Sequence, residues 1–150
     1  MTRIRVAVVY GGRSYHDGNN GGICNPVQTS GLYDPDNDVW TSVSLTGAPA
    51  GVRNHASAWA GNKVFVWGGC DGNEYSGVTN TGALYDPVTD TWTATNAAGA
   101  PAGRTSHSAT WTGDSVVTWG GGSASGGIYN LTTDSWTAMT SANAPPAGFN

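Results

Sequence analysis

YDPVTDTW, residues 85 to 92, has two further copies in the chain: YDPDNDVW at 33 to 40 and YNLTTDSW at 129 to 136. Tyr33, Tyr85 and Tyr129 are thus 52 and 44 positions apart, and Trp40, Trp92 and Trp136 follow them at a constant offset of seven. A fixed period of tens of residues marks a repeated supersecondary unit. Two more markers keep this period. The glycine pairs Gly11-Gly12, Gly68-Gly69 and Gly120-Gly121 close the apolar runs VAVVY, VFVW and VVTW. The segments LTGAPAG (45 to 51), AAGAPAG (97 to 103) and ANAPPAG (142 to 148) follow the three phrases.

Local chemistry predicts strands inside each unit. HASAW (55 to 59) and HSATW (107 to 111) alternate small and large side chains, and AGNK or TGDS supplies a glycine-containing turn into the glycine-pair strand. A second hairpin follows: GLY, GALY or GIY, then the Asp-Pro or Asn-Leu turn, then VWTSV, TWTAT or SWTAM. Each full unit therefore has four strands. No window sustains a 3.6-residue apolar period, so helix is excluded as the dominant element. In the turn, Pro35 and Pro87 preset φ, and Asp34, Asp38, Asp86, Asp90 and Asp134 are expected to accept hydrogen bonds from turn N–H groups. A four-stranded sheet this small cannot bury both faces alone. The recurring Tyr and Trp are therefore expected to pack successive sheets against each other.

Composition narrows the function. Of the 150 residues 11% are charged, Gly supplies 23, Lys63 is the single lysine, and the net charge is −4. The six basic residues are scattered, which excludes a nucleic-acid footprint. No apolar run reaches the roughly 20 residues that span a bilayer, and MTRIRVAVVYGG is too short and too soon glycine-rich to read as a signal peptide. The compartment stays open. Cys24 and Cys70 lack CxxC spacing and are expected to be free thiols rather than a disulfide.

The order Arg or Gly-Arg, His, Trp, apolar strand, Gly-Gly, loop, Tyr-Asp-Pro, Trp, at a period near 50, resembles the kelch repeat over nearly the whole chain. WGG with YDPVTDTW is most similar to the kelch-like repeats of bacterial exported or surface proteins. The resemblance implies an all-β fold of kelch-type β-propeller blades, each a four-stranded antiparallel sheet, in a partial ring of about three blades. The expected boundaries are an incomplete blade 1 at 1–46, blade 2 at 47–98, blade 3 at 99–143 and a C-terminal stub at 144–150, all in one domain. Unit one begins at its second strand, RVAVVYGG, which gives eleven strands in all. In the family the absent strand is the innermost, beside the central channel. Propellers close with four to eight blades. Either two chains meet in a six-bladed ring about a two-fold axis, or the sequence is part of a longer polypeptide, or the sheets form an open array.

Between the glycine pair and the next Tyr lie 20, 15 and seven residues in the three units, and variation in one loop class marks one face as functional. The longest loop, 13 to 31, offers Tyr15, His16, Asp17, Asn19 and Asn20 for hydrogen bonds to a peptide or a sugar. Kelch propellers resembling this one present basic residues at the channel mouth, where Arg53 and Arg104 are candidates to bind a carboxylate or sulfate. Their offsets from the following His, two and three residues, place them on opposite sides of their strands. His55 and His107 recur with the repeat and have no third ligand nearby, so a structural role is expected and no metal or cofactor. His16 beside Asp17 lacks a nucleophile. DPDND (34 to 38) is not an EF-hand loop, because Val39 and Leu45 stand where Gly and Glu are required. Trp59, Trp67, Trp111 and Trp119 are expected in the core rather than on a sugar-stacking platform.

The resulting expectation is a non-enzymatic binding and assembly module without catalytic residues. It would recognise a protein segment or glycan through its variable loops and complete its ring by self-association as a homodimer. The resemblance leaves two alternatives. One is a carbohydrate-active enzyme, since kelch-like propellers include a sugar-acid mutarotase and the copper-containing galactose oxidase group. The other is a purely structural fragment of a larger propeller.

Overall fold

The computed structural model describes residues 7–11, 13–15, 24–26, 29–50, 53–70 and 77–147. Among them there is no helix. The first sheet has three antiparallel strands, in the order β1 (Ala7–Tyr10), β4 (Ser30–Asp34), β5 (Val39–Ser42). The second runs β6 (Ala56–Ala60), β7 (Lys63–Trp67), β8 (Gly82–Asp86), β9 (Thr91–Ala94), and the third β10 (His107–Trp111), β11 (Ser115–Gly120), β12 (Gly126–Asn130), β13 (Ser135–Ala138). Each strand pairs with its neighbour in sequence, as consecutive hairpins require, save where a short ribbon intervenes between β1 and β4. That ribbon, β2 (Arg13–Tyr15) with β3 (Cys24–Pro26), corrects the reading of 13 to 31 as a loop without strands and adds two to the expected eleven. Three-residue strands with mixed polar composition carry no periodic signal in sequence.

The middle sheet shows how the units are held. Along β7, Val64 and Val66 join a cluster with Tyr10 and Val43 of the first unit, while Phe65 and Trp67 join one with Val116, Tyr129 and Trp136 of the third. Successive side chains of a strand point to opposite faces. From Val64 to Trp67 the strand is therefore continuously apolar and buried rather than alternating, because both faces are covered.

The joint between sheets repeats in detail. Tyr10 lies 4.8 Å from Trp92 and edge-on to His55 at 5.8 Å; one unit later, Trp67 lies 5.1 Å from Trp136 and edge-on to His107 at 5.2 Å. The indole Nε1–H of Trp92 donates to the Ser44 carbonyl at 2.9 Å, and that of Trp136 to the Asn96 carbonyl at 2.9 Å. The same two residues donate their backbone N–H to carboxylates of the next unit, Ser44 to Asp90 (2.9 Å) and Asn96 to Asp134 (2.8 Å). Each Asp–Trp pair thus grips both backbone groups of a single residue in the preceding sheet.

Here the expected role of the aspartates divides. The first residue of the phrase's turn behaves as predicted: Asp34, Asp86 and Asn130 accept from the backbone N–H two residues on, at 2.9, 2.9 and 3.0 Å. Asn130 needs no proline beside it, since an Asx turn depends only on a side-chain oxygen. The last residue differs from expectation. Asp38, Asp90 and Asp134 sit at φ 54°, 52° and 47°, and their carboxylates accept the hydroxyls of Tyr33, Tyr85 and Tyr129 at 2.9, 2.9 and 2.7 Å. The left-handed backbone turns these carboxylates out of the turn, toward the neighbouring sheet where there is one. Burial and the carboxylate contact raise the pKa of Tyr85 and Tyr129, which keeps both phenols protonated as donors.

Candidate functional site

The segments that follow the glycine pairs and the APAG-type linkers come together at one end of the third sheet. Pro101, Ala102, Gly103 and Arg104 of the linker face Gly121, Ser123 and Ser125 of the loop after β11, with Met139 at the side, around a hollow of about 290 Å³. Arg104 forms its wall. The guanidinium donates through Nε to the Ala102 carbonyl (3.1 Å), through Nη1 to the carbonyls of Gly120 (3.0 Å) and Ser125 (2.7 Å), and through Nη2 to Ser125 Oγ (3.1 Å). Three of these four bonds tie the linker to the end of β11 and the loop that follows it. Its burial lowers its pKa.

Arg53 is equally buried but differently engaged. Its backbone pairs with Cys70 in both directions (3.1 and 3.0 Å), and its Nε lies 3.4 Å from Cys70 Sγ, a buried free thiol. Neither arginine is on a strand, so the expected placement on opposite strand faces does not occur. The unequal offset is absorbed in the turn: Asn54 and Ser106, directly before the histidines, both adopt left-handed backbone (φ 54° and 52°). The two arginines end at 5% exposure each.

His107 is held under the neighbouring glycine pair. A Cβ on Gly68 would come within 2.6 Å of its Cε1, so glycine is required there on space as well as on φ, which is 72°. The ring nitrogens make no hydrogen bond of ordinary geometry among the described residues. Burial first, then the Arg104 and His55 charges, push its pKa down to about 4, with the Trp67 backbone a partial offset. It is a neutral packing ring. Among the described residues no three His, Cys, Asp or Glu cluster as a metal site would.

Of the remaining candidates, Tyr15 closes β2, whereas His16, Asp17, Asn19 and Asn20 lie outside the described residues. In DPDND, Asp34 is occupied by the N–H of Asp36 and the Asn37 side chain, and Asp38 by Tyr33. The four repeat tryptophans divide: Trp67 is 1% exposed, Trp111 packs at the edge of the second cluster, Trp59 is 43% exposed, and Trp119 lines an open groove. The exposed Trp59 departs from the core expectation, since its strand β6 buries Ala56 and Ala60 and leaves residues between them partly open.

A family model described as the KLHDC2/KLHL20/DRC7 Kelch-repeats domain matches residues 4–150. The chain belongs to the kelch-repeat family. No curated protein matches it. Its three sheets are kelch blades, and such repeats are mostly non-enzymatic domains that commonly bind proteins. Two kinds of residue in these blades escaped sequence reasoning. Ser123 and Ser125 lie in the shortest loop and carry no motif. Ser44 and Asn96 act through their backbones, and the only trace in sequence is that each stands four residues after a repeat Trp.

Proposed function

We propose that this kelch module binds an extended protein segment on the face carrying its linkers and post-glycine loops, without catalysis, and completes its ring by self-association. The observation that carries this reading is the contrast between a joint made twice with the same bonds and ring contacts and a loop class that shrinks from 20 to seven residues along the chain. Variation confined to one face of a constant scaffold is what recognition of a specific partner requires. The hollow beside Arg104 favours a peptide over a sugar. Its lining is backbone, Ser123, Ser125, Pro101 and Met139, with polar groups for a main chain and no aromatic ring on which a pyranose face would stack. In this reading Tyr15, His16, Asp17, Asn19 and Asn20 add hydrogen-bonding groups from the longest loop, while Arg53 and Arg104 fix the loop bases.

The test is selection of peptides from a displayed library against the whole chain, followed by Ser123→Ala and by shortening of 13 to 31. The expected result is a consensus peptide whose binding is lost in these variants while the melting temperature holds. Selective binding on a glycan array, accelerated sialic-acid anomerisation by NMR, or stoichiometric copper would each overturn it.

A further inference from the structure

The two internal joints are made twice from the same parts, and one spare copy of each part remains at the ends of the stack. The projecting part is the Tyr–Asp–Trp set. In blade 1 it is Tyr33, Asp38 and Trp40, with the Tyr hydroxyl on the carboxylate at 2.9 Å and the two rings 5.0 Å apart. The corresponding ring separations in blades 2 and 3 are 4.9 and 5.2 Å. The geometry is the same, yet Trp40 is 60% exposed where Trp92 and Trp136 are 8% and 9%.

The receiving part is the segment four residues beyond each Trp. At Ser44 the side chain accepts from Thr46 N (3.3 Å) and Leu45 O from Ala48 N (3.1 Å); at Asn96 the bonds are Ala98 N to Oδ1 (2.9 Å) and Ala100 N to Ala97 O (3.2 Å). The third copy has both bonds, Ala142 N to Thr140 Oγ1 (3.1 Å) and Ala144 N to Ser141 O (3.1 Å). Gly47, Gly99 and Asn143 share left-handed backbone at φ 79°, 76° and 59°. Around this third copy lies an apolar groove of about 320 Å³, lined by Val117, Trp119, Met139, Thr140 and Ala144. In register these match Val8, Tyr10, Val43, Ser44 and Ala48, the surroundings of Trp92. The N–H and C=O of Thr140 have no protein partner among the described residues.

We infer that the Thr140 groove of one chain receives Trp40 and Asp38 of a second copy, Trp40 Nε1–H donating to the Thr140 carbonyl and Asp38 accepting the Thr140 N–H. This rests on the self-association proposed above and specifies its contact. Both halves are preformed, so docking orders little that is not already ordered. Two chains offer two such contacts in reciprocal relation, which closes three blades plus three blades about a two-fold axis.

The experiment is light scattering on a sizing column across a dilution series of the whole chain and of Trp40→Ala, Ala144→Glu and, as control, Trp59→Ala. Ala144 is chosen because its counterparts Ala48 and Ala100 pack into the two internal joints. The chain and the control should show twice the 15.4 kDa of one protomer. Each of the other two should run as monomer, weakened at least about 30-fold per contact, the size expected for truncating an interface Trp anchor. Near-UV circular dichroism of the dilute variants verifies the fold. Dimers that persist in both variants would leave self-association standing and overturn this contact; a wild-type chain that is monomeric throughout would overturn both.

Discussion

Trp40 and Trp136 hold the same place in the same phrase and differ sixfold and more in exposure, 60% against 9%. Each sits against its own tyrosine at nearly the same distance, 5.0 and 5.2 Å. What separates them is a neighbour. Trp136 has blade 2 beside it, with Phe65 and Trp67 on its ring and Asn96 on its nitrogen, whereas Trp40 faces away from the stack. The local phrase therefore builds the same projecting part everywhere, and its burial depends on whether a preceding blade lies beside it.

The hardest test of that comparison is truncation of each ring. Trp136→Ala should cost about 3–5 kcal/mol, as for a buried aromatic. In dilute protein Trp40→Ala should cost under about 0.5 kcal/mol, as for an exposed side chain. Urea titration gives both values, and equal losses would break the contrast.

A second difference is built into acid stability. His107 is depressed to about 4 in the folded chain against an ordinary 6.5. Between those values the unfolded state binds more protons, so stability is full above about pH 6.5 and falls as pH drops toward 4, by at most about 3 kcal/mol. His107→Gln should flatten that limb of a melting-temperature profile.

The carboxylates come next. Asp134→Ala strands the Tyr129 hydroxyl and the Asn96 N–H and should cost about 2 kcal/mol; Asp38→Ala, with only the Tyr33 contact to lose, should cost under about 1 kcal/mol by the same titration. The smallest effect concerns the receiving segment. A Cβ on Gly47 or Gly99 would lie 3.3 or 3.4 Å from the carbonyl of the incoming Trp, and Asn143 carries such a Cβ. Asn143→Gly should change monomer stability by less than about 0.5 kcal/mol while strengthening self-association in the dilution series.

Much of this was legible in the residues. The period, the hairpins and the glycine pairs are local or repetitive, and the all-β kelch blades follow from them. The site was less legible for identifiable reasons. Arg53 and Arg104 read as candidates for anion binding or for a structural bond to a neighbouring blade, because sequence shows their charge but not the carbonyls of Gly120 and Ser125 or the sulfur of Cys70 around them. Asp90 and Asp134 read as turn acceptors because sequence does not show the preceding sheet whose backbone N–H groups they reach. The ribbon of β2 and β3 is too short to show a period.

By itself the sequence determined the units: strand alternation, Asx turns and left-handed positions depend on neighbours within a few residues, and each of the three copies of the Tyr-to-Trp phrase carries its own turn and left-handed aspartate. Only the tertiary structure decided which copies of Tyr–Asp–Trp are buried, which backbone groups they grip, and where the unpaired halves lie. Those depend on a sheet brought alongside from some 40 to 50 residues away, as Trp92 is to Ser44 and Trp136 to Asn96.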